Sequence, residues 1–480
     1  MNRKNIAKRN ILLTTAITAI ACCTTKAQNT TNVPRLVVNI TIDQMRTDLL
    51  LKYQPSYNSQ GFRELIGNGI FFTDAKLNFS QADLASSIAY ISTGATPRYN
   101  GIIGRKWFDR NDRRTVSCIE DSSREGIFTS DNTSPAKIQV TTVSDELKAD
   151  NDKSIIISIG EDAEAAIIHG GHNADGAYWI DRKSGKWCSS DYYPVSKKDL
   201  YQYNSNCKNS QRGPYSNDGI TDFAMHCIDT SRLGEDNITD ILHITYKAND
   251  NKADKSRSQD IYLNLDKNIT RLIDKISSRI GKDKVLFVIS STGYTDTDGK
   301  EHDNKIRIPG GTFYINRTSN LLNLYLSAFY GNDKYIDGYY HNQIYLDTKL
   351  LDKKRIRISE VTDLAKTFVR QCQGVADCLS TNDLLSYSSP ELQYETNSHN
   401  LRNSGDLTIR ILPGWTVANE DNGETFTNST YCFQFPLILY GLGLKGERIT
   451  SPTPLGRIPA TISKVIKIRA PNACKEESLL

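Results

Sequence analysis

The sequence predicts an α/β fold: one large, mostly parallel sheet with helices on both faces and a small cap insertion. Three observations support this prediction. Apolar, β-branched runs of strand length recur along the chain, patterns of helical spacing lie between them, and one long central stretch is more polar and rich in turn residues. Because strands that alternate with helices form a parallel sheet covered on both faces, this order of elements defines the fold class.

Four apolar runs are typical of buried strands. The first, Leu36 to Asp43, ends on an acidic residue, and the others lie at 154–159, 285–290 and 437–440. Continuous apolar runs of this length are typical of parallel strands that are buried on both faces. Ligands of such folds bind beyond the carboxyl ends of the strands, so we expect Asp43 to lie at a site.

Two helices are well marked. Residues 261–280 carry apolar side chains at helical spacing, and Gly281 is a typical stop. A second helix is predicted to end at Thr93, before Gly94, with a capping box formed by residues 80–83 at its start.

The polar stretch from about 105 to 235 is rich in Asp, Asn, Ser, Lys and Tyr. It predicts a cap on the main sheet, within a single domain that spans residues 34–480. Overall, 59 Lys and Arg residues against 55 Asp and Glu residues give a net charge of only +4. No basic stripe stands out, so a nucleic-acid partner is not expected.

Residues 1–27 are predicted to be a signal peptide. A basic start precedes a short apolar run, residues 11–21, and a small-x-small cleavage site ends at Ala27. The apolar run is too short for a bilayer, which needs about 20 residues. In an alternative interpretation Cys22 becomes a lipidated N-terminus, a lipid anchor. We therefore expect a protein of the periplasm or outer membrane of a Gram-negative bacterium, without a transmembrane helix.

Eight cysteines follow this segment: Cys118, Cys188, Cys207, Cys227, Cys372, Cys378, Cys432 and Cys474. An even count in an oxidising compartment predicts up to four disulfides, whose pairing the sequence leaves open. Cys372 and Cys378 are close enough in sequence for a local disulfide. The spacing typical of cysteine metal sites is missing from the sequence.

Six segments then suggest a family. They occur in a fixed order between about residues 35 and 445: Ile42-Asp43-Gln44-Met45-Arg46, Ser92-Thr93-Gly94 with Gly101-Ile102-Ile103-Gly104, Ala177-Tyr178-Trp179, Ser189-Ser190-Asp191-Tyr192-Tyr193, Asn403-Ser404-Gly405-Asp406 and Pro413-Gly414-Trp415. This order resembles the bacterial alkaline phosphatase and nucleotide pyrophosphatase/phosphodiesterase branch of the alkaline phosphatase superfamily. The resemblance implies a two-zinc phosphoryl-transfer site, with Asp and His ligands and a Thr or Ser nucleophile at a helix N-terminus.

Most of the residues that this resemblance requires are replaced. Asp43 matches the first metal aspartate, but the nucleophile position falls on Leu84. The expected Asp-His-Gly is Ser291-Thr292-Gly293, and the expected Asp-x-x-x-His has Asp254 in place of its histidine, after Asp250. The last histidine of the chain is His399, so the C-terminal metal histidine, expected after Trp415, does not exist.

The phosphate-binding positions are replaced as well. The family's Lys and Arg align with Asp162 and Glu164, and its Asn aligns with Arg105. A carboxylate near 4 Å from a phosphoryl oxygen repels it by about 4 kcal/mol at an effective dielectric of 20. We therefore expect these carboxylates to disfavour phosphate.

The remaining polar residues allow two interpretations each. Asp43, Asp250 and Asp254 form either a relic all-oxygen site for Ca²⁺ or Mg²⁺, zinc being disfavoured, or one relic acid and two solvated loop acids. Asp83 is either a helix cap or a carboxylate nucleophile, and the cap is favoured. The segment 169–172 is a two-histidine metal clip or a surface turn, and the Tyr-rich run 335–345 is a contact surface or the flank of a helix.

The sequence thus predicts a non-catalytic envelope protein that uses a phosphatase-like scaffold for binding or assembly, with no catalytic residue and no cofactor. The expected partner is another envelope protein. The alternative is a phosphoric-ester hydrolase with a rearranged, carboxylate-only metal site. A weaker third hypothesis is glycan binding through the Tyr- and Trp-rich cap.

Overall fold

The computed structural model describes residues 33–207, 217–248, 255–295, 310–386, 390–427 and 433–480. The predicted signal peptide, the predicted lipid anchor at Cys22 and two of the three predicted metal ligands, Asp250 and Asp254, lie outside the described residues.

Twenty strands are described, numbered in chain order: β1 Leu36–Asp43, β2 Ile70–Lys76, β3 Lys106–Asp109, β4 Arg114–Ser117, β5 Gly126–Ile127, β6 Ile156–Gly160, β7 Gly176–Ile180, β8 Trp187–Ser190, β9 Asp240–Lys247, β10 Val285–Ser291, β11 Thr312–Tyr314, β12 Ile336–Tyr340, β13 Gln343–Leu346, β14 Val375–Ser380, β15 Leu407–Ile411, β16 Thr416–Asn419, β17 Glu424–Thr427, β18 Phe435–Gly441, β19 Glu447–Ile449 and β20 Thr453–Pro454.

The described helices are α1 Thr47–Lys52, α2 Phe62–Asn68, α3 Leu84–Thr93, α4 Pro97–Asn100, α5 Val143–Asp150, α6 Ala163–Gly170, α7 Lys197–Cys207, α8 Asn217–Thr230, α9 Lys255–Ile280, α10 Ile315–Tyr330, α11 Thr348–Lys354, α12 Ile358–Val369, α13 Thr381–Ser386, α14 Gln393–Ser398 and α15 Arg457–Ile466.

An eleven-stranded sheet forms the centre of the molecule. Its strand order is β19-β2-β18-β10-β1-β9-β6-β7-β8-β5, and β20 pairs with β2. The five central strands β10, β1, β9, β6 and β7 are parallel, whereas β18 and β8 run antiparallel to their neighbours. Helices α3, α5, α6 and α15 cover one face, and α1, α2, α8 and α9 cover the other. The predicted α/β class and the mostly parallel sheet are confirmed.

The predicted strands occur where the sequence places them, with one difference of direction. The run at 437–440 lies in β18, which is antiparallel to β10 rather than parallel to it. Every residue of β18 is buried, as in the central parallel strands. An apolar run reports burial but not direction, so the sequence could not distinguish the two arrangements.

The predicted helices are also present. Helix α9 ends at Ile280, and Gly281 follows with a φ of +94°. Helix α3 ends at Thr93, and Gly94 closes it in the left-handed conformation. The capping box at its start differs from the prediction, because Asp83 is the N-cap and its reciprocal partner is Ser86 rather than Ser80.

The polar stretch from about 105 to 235 does not stand apart as a cap. It supplies β5, β6, β7 and β8 to the main sheet, and its helices α5, α6 and α8 cover that sheet. The region with its own apolar core is instead the lobe at residues 310–427. This lobe contains the four-stranded sheet β12-β13-β15-β14 and the three-stranded sheet β11-β16-β17, packed on α10 and α12.

The disulfide prediction is wrong for the cysteines that the structure describes. Seven cysteines have free thiols, and Cys432 lies outside the described residues. The expected Cys372–Cys378 bond is therefore not formed. Cys118 and Cys188 pack in one apolar cluster of the main domain and Cys227 in the other, where a free thiol behaves as a small apolar side chain.

Among the described residues, no helix combines the length and the apolar character that crossing a bilayer requires.

Candidate functional site

The carboxyl ends of four neighbouring parallel strands bring the site together. Asp43 is the last residue of β1, and Lys247, its register partner, is the last residue of β9. Thr292 follows β10 on the other side of β1, and Asp162 lies two residues beyond the end of β6. Because the carboxyl ends of parallel strands meet at one edge, these four side chains converge where this fold class places its ligands.

Asp43 is buried and held by a hydroxyl group. Thr292 Oγ1 donates to Asp43 Oδ1 at 3.0 Å and accepts from the backbone N–H of Gln44 at 2.9 Å. Burial raises the pKa of Asp43 to about 6, and the nearby charges of Arg105 and Lys247 oppose this effect. Thr292 occupies the expected position of a histidine ligand and donates a hydrogen bond to Asp43.

Asp162 is the centre of an ion-pair network that we call the Asp162 network, formed by Arg105, Lys247, Arg182, Glu161, Asp162 and Glu164. Lys247 Nζ lies 2.9 Å from Asp162 Oδ2, and the Arg105 guanidinium lies 3.6 Å from the same oxygen. Arg182 donates to the other oxygen of Asp162. Burial alone would raise the pKa of Asp162, but the three cations outweigh it and hold this pKa below its ordinary value.

The two outer carboxylates complete the network. Lys247 Nζ also lies 3.0 Å from Glu161 Oε1, and Arg105 Nη1 lies 3.4 Å from Glu164 Oε1. Burial lowers the pKa of Lys247, but Asp162 and Glu161 more than compensate, so the ammonium group stays charged. Three cations therefore face three carboxylates. The expectation that Asp162 and Glu164 present bare negative charge is corrected, because their charges are neutralised within the chain.

The start of α3 carries a helix cap at the predicted nucleophile position. Leu84, the first residue of the helix, is fully buried in the apolar core. Asp83 Oδ1 accepts from the backbone N–H of Ser86 at 2.9 Å, and Asp83 Oδ2 accepts from the backbone N–H of Arg105 at 2.6 Å. Both oxygens of Asp83 are thus engaged in hydrogen bonds, as the capping interpretation predicts.

Neither interpretation of residues 169–172, the metal clip or the surface turn, describes this segment, because His169 lies in α6 and is fully buried. His169 is buried, with its ring nitrogens 3.0 Å from Thr41 Oγ1 and 2.8 Å from Ser92 Oγ, and its ring stacks on His243. His172 instead pairs with Asp145, with Nδ1 2.9 Å from Oδ2. The two histidines therefore belong to separate hydrogen-bond networks.

A cleft of about 260 Å³ opens beside Asp83, between the start of α3 and the lobe. Arg105 and Trp107 belong to its main-domain wall, and Tyr340 and Phe426 belong to its lobe wall. Tyr340 comes from the run 335–345, which forms the β12–β13 hairpin rather than the flank of a helix. The run has no strict alternation of apolar and polar residues, so its sequence did not distinguish a hairpin from the flank of a helix.

The described side chains do not fit a two-zinc centre. Within the described ranges, no group of three or more His, Cys, Asp or Glu side chains is placed to hold a metal ion. Thr292 supplies a hydroxyl in place of an imidazole, and Arg105 and Lys247 put positive charge among the carboxylates that remain. Sequence reasoning missed Lys247 and Arg182, although the position of Lys247 at the end of a buried strand was a usable signal.

The large mixed sheet with Asp43 at the end of its first strand is the fold of the alkaline phosphatase superfamily. Residues 37–434 match the family described as type I phosphodiesterase / nucleotide pyrophosphatase, and the chain belongs to this family.

Relatives with known names align over nearly the whole chain. The alkaline phosphatase PafA of Elizabethkingia meningoseptica is 26% identical over 93% of this chain and 94% of its own length. The alkaline phosphatase PhoV of Synechococcus elongatus is also 26% identical, over 92% of this chain and 91% of its own length.

Solved structures show the same fold. The crystal structure of wild-type PafA superposes with a TM-score of 0.81 at 24% identity, covering 93% of this chain and 98% of that one. Murine ectonucleotide pyrophosphatase/phosphodiesterase 5 superposes with a TM-score of 0.55 at 12% identity, covering 90% and 95%.

Proposed function

We propose that this chain is a non-catalytic, exported member of the family, which uses the phosphatase scaffold for binding or assembly in the cell envelope. The observation that carries the proposal is the Asp162 network. In it, Arg105 and Lys247 place side-chain cations among the carboxylates at the strand ends, where catalysis in this superfamily depends on metal ions.

The start of α3 supports the same conclusion. Leu84 has no nucleophilic atom, and its side chain is fully buried. Both carboxylate oxygens of Asp83 accept hydrogen bonds from backbone N–H groups. A phosphoryl-transfer site of this type needs an activated nucleophile and a charge clamp, and the described residues supply neither in the family's form.

Export to the periplasm or outer membrane belongs to the same proposal and rests on the N-terminal sequence pattern. The expected partner is another envelope protein. Chemical crosslinking in the native envelope, followed by affinity purification and mass spectrometry, tests this part. Crosslinks that join the chain only to cytoplasmic proteins would contradict it.

The catalytic part is tested with p-nitrophenyl phosphate and bis(p-nitrophenyl) phosphate, with and without added Zn²⁺. We expect no turnover above background. The matched variant Leu84→Thr restores a hydroxyl group at the start of α3 and should stay inactive, because the Asp162 network is unchanged. Zinc-dependent turnover in the wild-type protein that disappears in Asp43→Ala would overturn the proposal.

A second candidate function is a phosphoric-ester hydrolase with a rearranged metal site. Asp43 favours it, because burial raises the pKa of this retained acid to about 6, and such perturbed groups cluster at functional sites. The named alkaline phosphatases that align over more than nine-tenths of the chain favour it too. Ca²⁺- or Mg²⁺-dependent hydrolysis that is lost in Asp250→Ala and Asp254→Ala would establish this alternative.

A further inference from the structure

We propose that the cleft between the start of α3 and the β12–β13 hairpin binds an uncharged saccharide of one or two rings. This inference deepens the non-catalytic binding role proposed above and rests on it.

The lobe wall of the cleft is aromatic. Tyr340 and Phe426 are half-buried, with ring centroids 5.4 Å apart in an edge-to-face arrangement. The His341 ring lies 4.5 Å from the ring of Phe426. Partly exposed aromatic rings give rigid apolar surface with polar tips, and such surface suits the C–H faces of a sugar ring.

The opposite wall combines apolar residues, among them Ile103 and Trp107, with hydrogen-bonding groups of both kinds. Asp83 Oδ2 accepts one hydrogen bond, from the backbone of Arg105, and can accept a second. Arg105 is a donor, and the side-chain amide of Gln81 is both a donor and an acceptor. A hydroxyl group donates one hydrogen bond and accepts others, so a ring that carries several hydroxyls can use all three residues. A purely apolar ligand would leave the polar groups of Gln81, Asp83 and Arg105 without hydrogen bonds to the ligand.

The charges of the cleft favour an uncharged ligand. Asp83 places a carboxylate at the wall, and the guanidinium of Arg105 is already balanced by Asp162 and Glu164. Lys106, at the rim, lies 3.5 Å from Glu424. A phosphorylated ligand would therefore face a carboxylate without an uncompensated cation to attract it.

Backbone conformation and volume describe the shape of the cleft. Gln81 and His341, on opposite walls, both adopt left-handed backbone conformations, with φ values of 56° and 53°. The two-residue turn of the β12–β13 hairpin accounts for the positive φ of His341, whereas Gln81 lies just before the N-cap of α3. The volume of about 260 Å³ is below the range of about 300–1,000 Å³ for drug-sized ligands, which limits the occupant to one or two rings.

The test measures binding of cellobiose, maltose and N,N′-diacetylchitobiose to the full chain by saturation-transfer NMR and calorimetry. Glucose 6-phosphate and adenosine serve as charged and aromatic comparators. We expect at least one disaccharide to bind, with saturation strongest at its ring protons, and both comparators to bind at least tenfold more weakly. Failure of all three disaccharides to bind, or preferential binding of a comparator, would overturn the inference.

The location is tested with Phe426→Ala, for which we expect at least a tenfold increase in Kd. The matched control is Phe329→Ala, which removes an exposed phenylalanine of α10 away from the cleft and should leave Kd unchanged. If thermal unfolding shows that Phe426→Ala is not folded, Tyr340→Ala replaces it. Equal effects at the cleft and control positions would refute the location.

The same samples are assayed for phosphoester hydrolysis, which separates the two proposals. An inactive protein that binds no saccharide refutes the saccharide site alone. Metal-dependent hydrolysis refutes the non-catalytic role, whatever the saccharide result.

Discussion

Lys247 Nζ lies 2.9 Å from Asp162 Oδ2, so a side-chain ammonium neutralises a carboxylate that is almost fully buried. The parallel register of β1 and β9 also places Lys247 beside Asp43. One lysine at a strand end therefore acts on both acids of the site.

Replacement of Lys247 by methionine keeps most of the apolar stem but removes the charge. We expect the free energy of unfolding to fall by about 1–3 kcal/mol. Removal of one partner of a buried ion pair typically costs about 3–5 kcal/mol. The expected loss is smaller here because Asp162 keeps its ion pairs with Arg105 and Arg182. Urea unfolding measures the change. The control is Lys275→Met, whose partner Asp229 is also 2.9 Å away but exposed, with an expected loss below about 1 kcal/mol.

Asp43→Asn should stabilise the protein at pH 7.5. Burial raises the folded-state pKa of Asp43 to about 6 from its ordinary value of 3.8, so between these pH values the folded state binds a proton that the unfolded state has lost. Stability therefore decreases as pH rises between these values, by about 1.4 kcal/mol for each pKa unit, or about 3 kcal/mol in total. Asparagine avoids this loss.

Urea unfolding of wild type and Asp43→Asn at pH 7.5 and at pH 4 checks this prediction. The stabilisation should approach 3 kcal/mol at pH 7.5 and largely vanish at pH 4, where Asp43 is protonated in the folded state. A destabilised Asp43→Asn at pH 7.5 would instead indicate that a bound cation stabilises the charged form of Asp43, as the second candidate function requires.

The stacked pair His169–His243 should make the fold sensitive to acid. Burial lowers the pKa of His243 to about 3, and burial next to His243 lowers the pKa of His169 well below its ordinary value. The unfolded chain takes up these protons near pH 6.5, so stability is fully present above that pH and falls below it. At pH 5, each of the two histidines should have lowered the free energy of unfolding by about 2 kcal/mol.

The variant His243→Gln isolates this effect, because it should lose less stability than wild type between pH 7.5 and pH 5. His172→Gln is the opposite-sign control. The hydrogen bond with Asp145 raises the pKa of His172, so this residue stabilises the fold below pH 6.5 and its removal should increase the acid loss. Parallel pH profiles for wild type and both variants would contradict the assignment.

The cysteines should be free in the native protein. Alkylation in guanidinium chloride without reductant should modify at least the seven thiols that the structure describes as unpaired. Denaturation is essential to the measurement, because burial raises the pKa of Cys378 to about 12 and protects its thiol in the native state without any disulfide. A count that rises after reduction would show that disulfides form after all.

The sequence predicted elements whose signal is local. The run Leu36–Asp43 became β1 with its acid at the carboxyl end, and the helix before Gly281 ended where the glycine places it. These predictions succeed because burial and backbone freedom are properties of neighbouring residues.

Interactions between distant residues were harder to foresee. Arg105 and Asp162 are far apart in sequence, so their ion pair depends on the order of strands in the sheet. The cations that neutralise Asp162 are distant from it in sequence or unmarked by any motif, so the sequence predicted a bare negative charge there. The Tyr340 hairpin was missed because its residues carry no periodicity that separates a short hairpin from a helix flank.

The Asp162 network also bears on how the protein matures. The cations of this site, Arg105, Lys247 and Arg182, are side chains of the polypeptide itself, whereas a metal centre must acquire its ions from the surroundings. We therefore expect the strand ends to fold around these side chains without bound zinc. The yield of folded protein should then be the same in zinc-starved and zinc-replete cells.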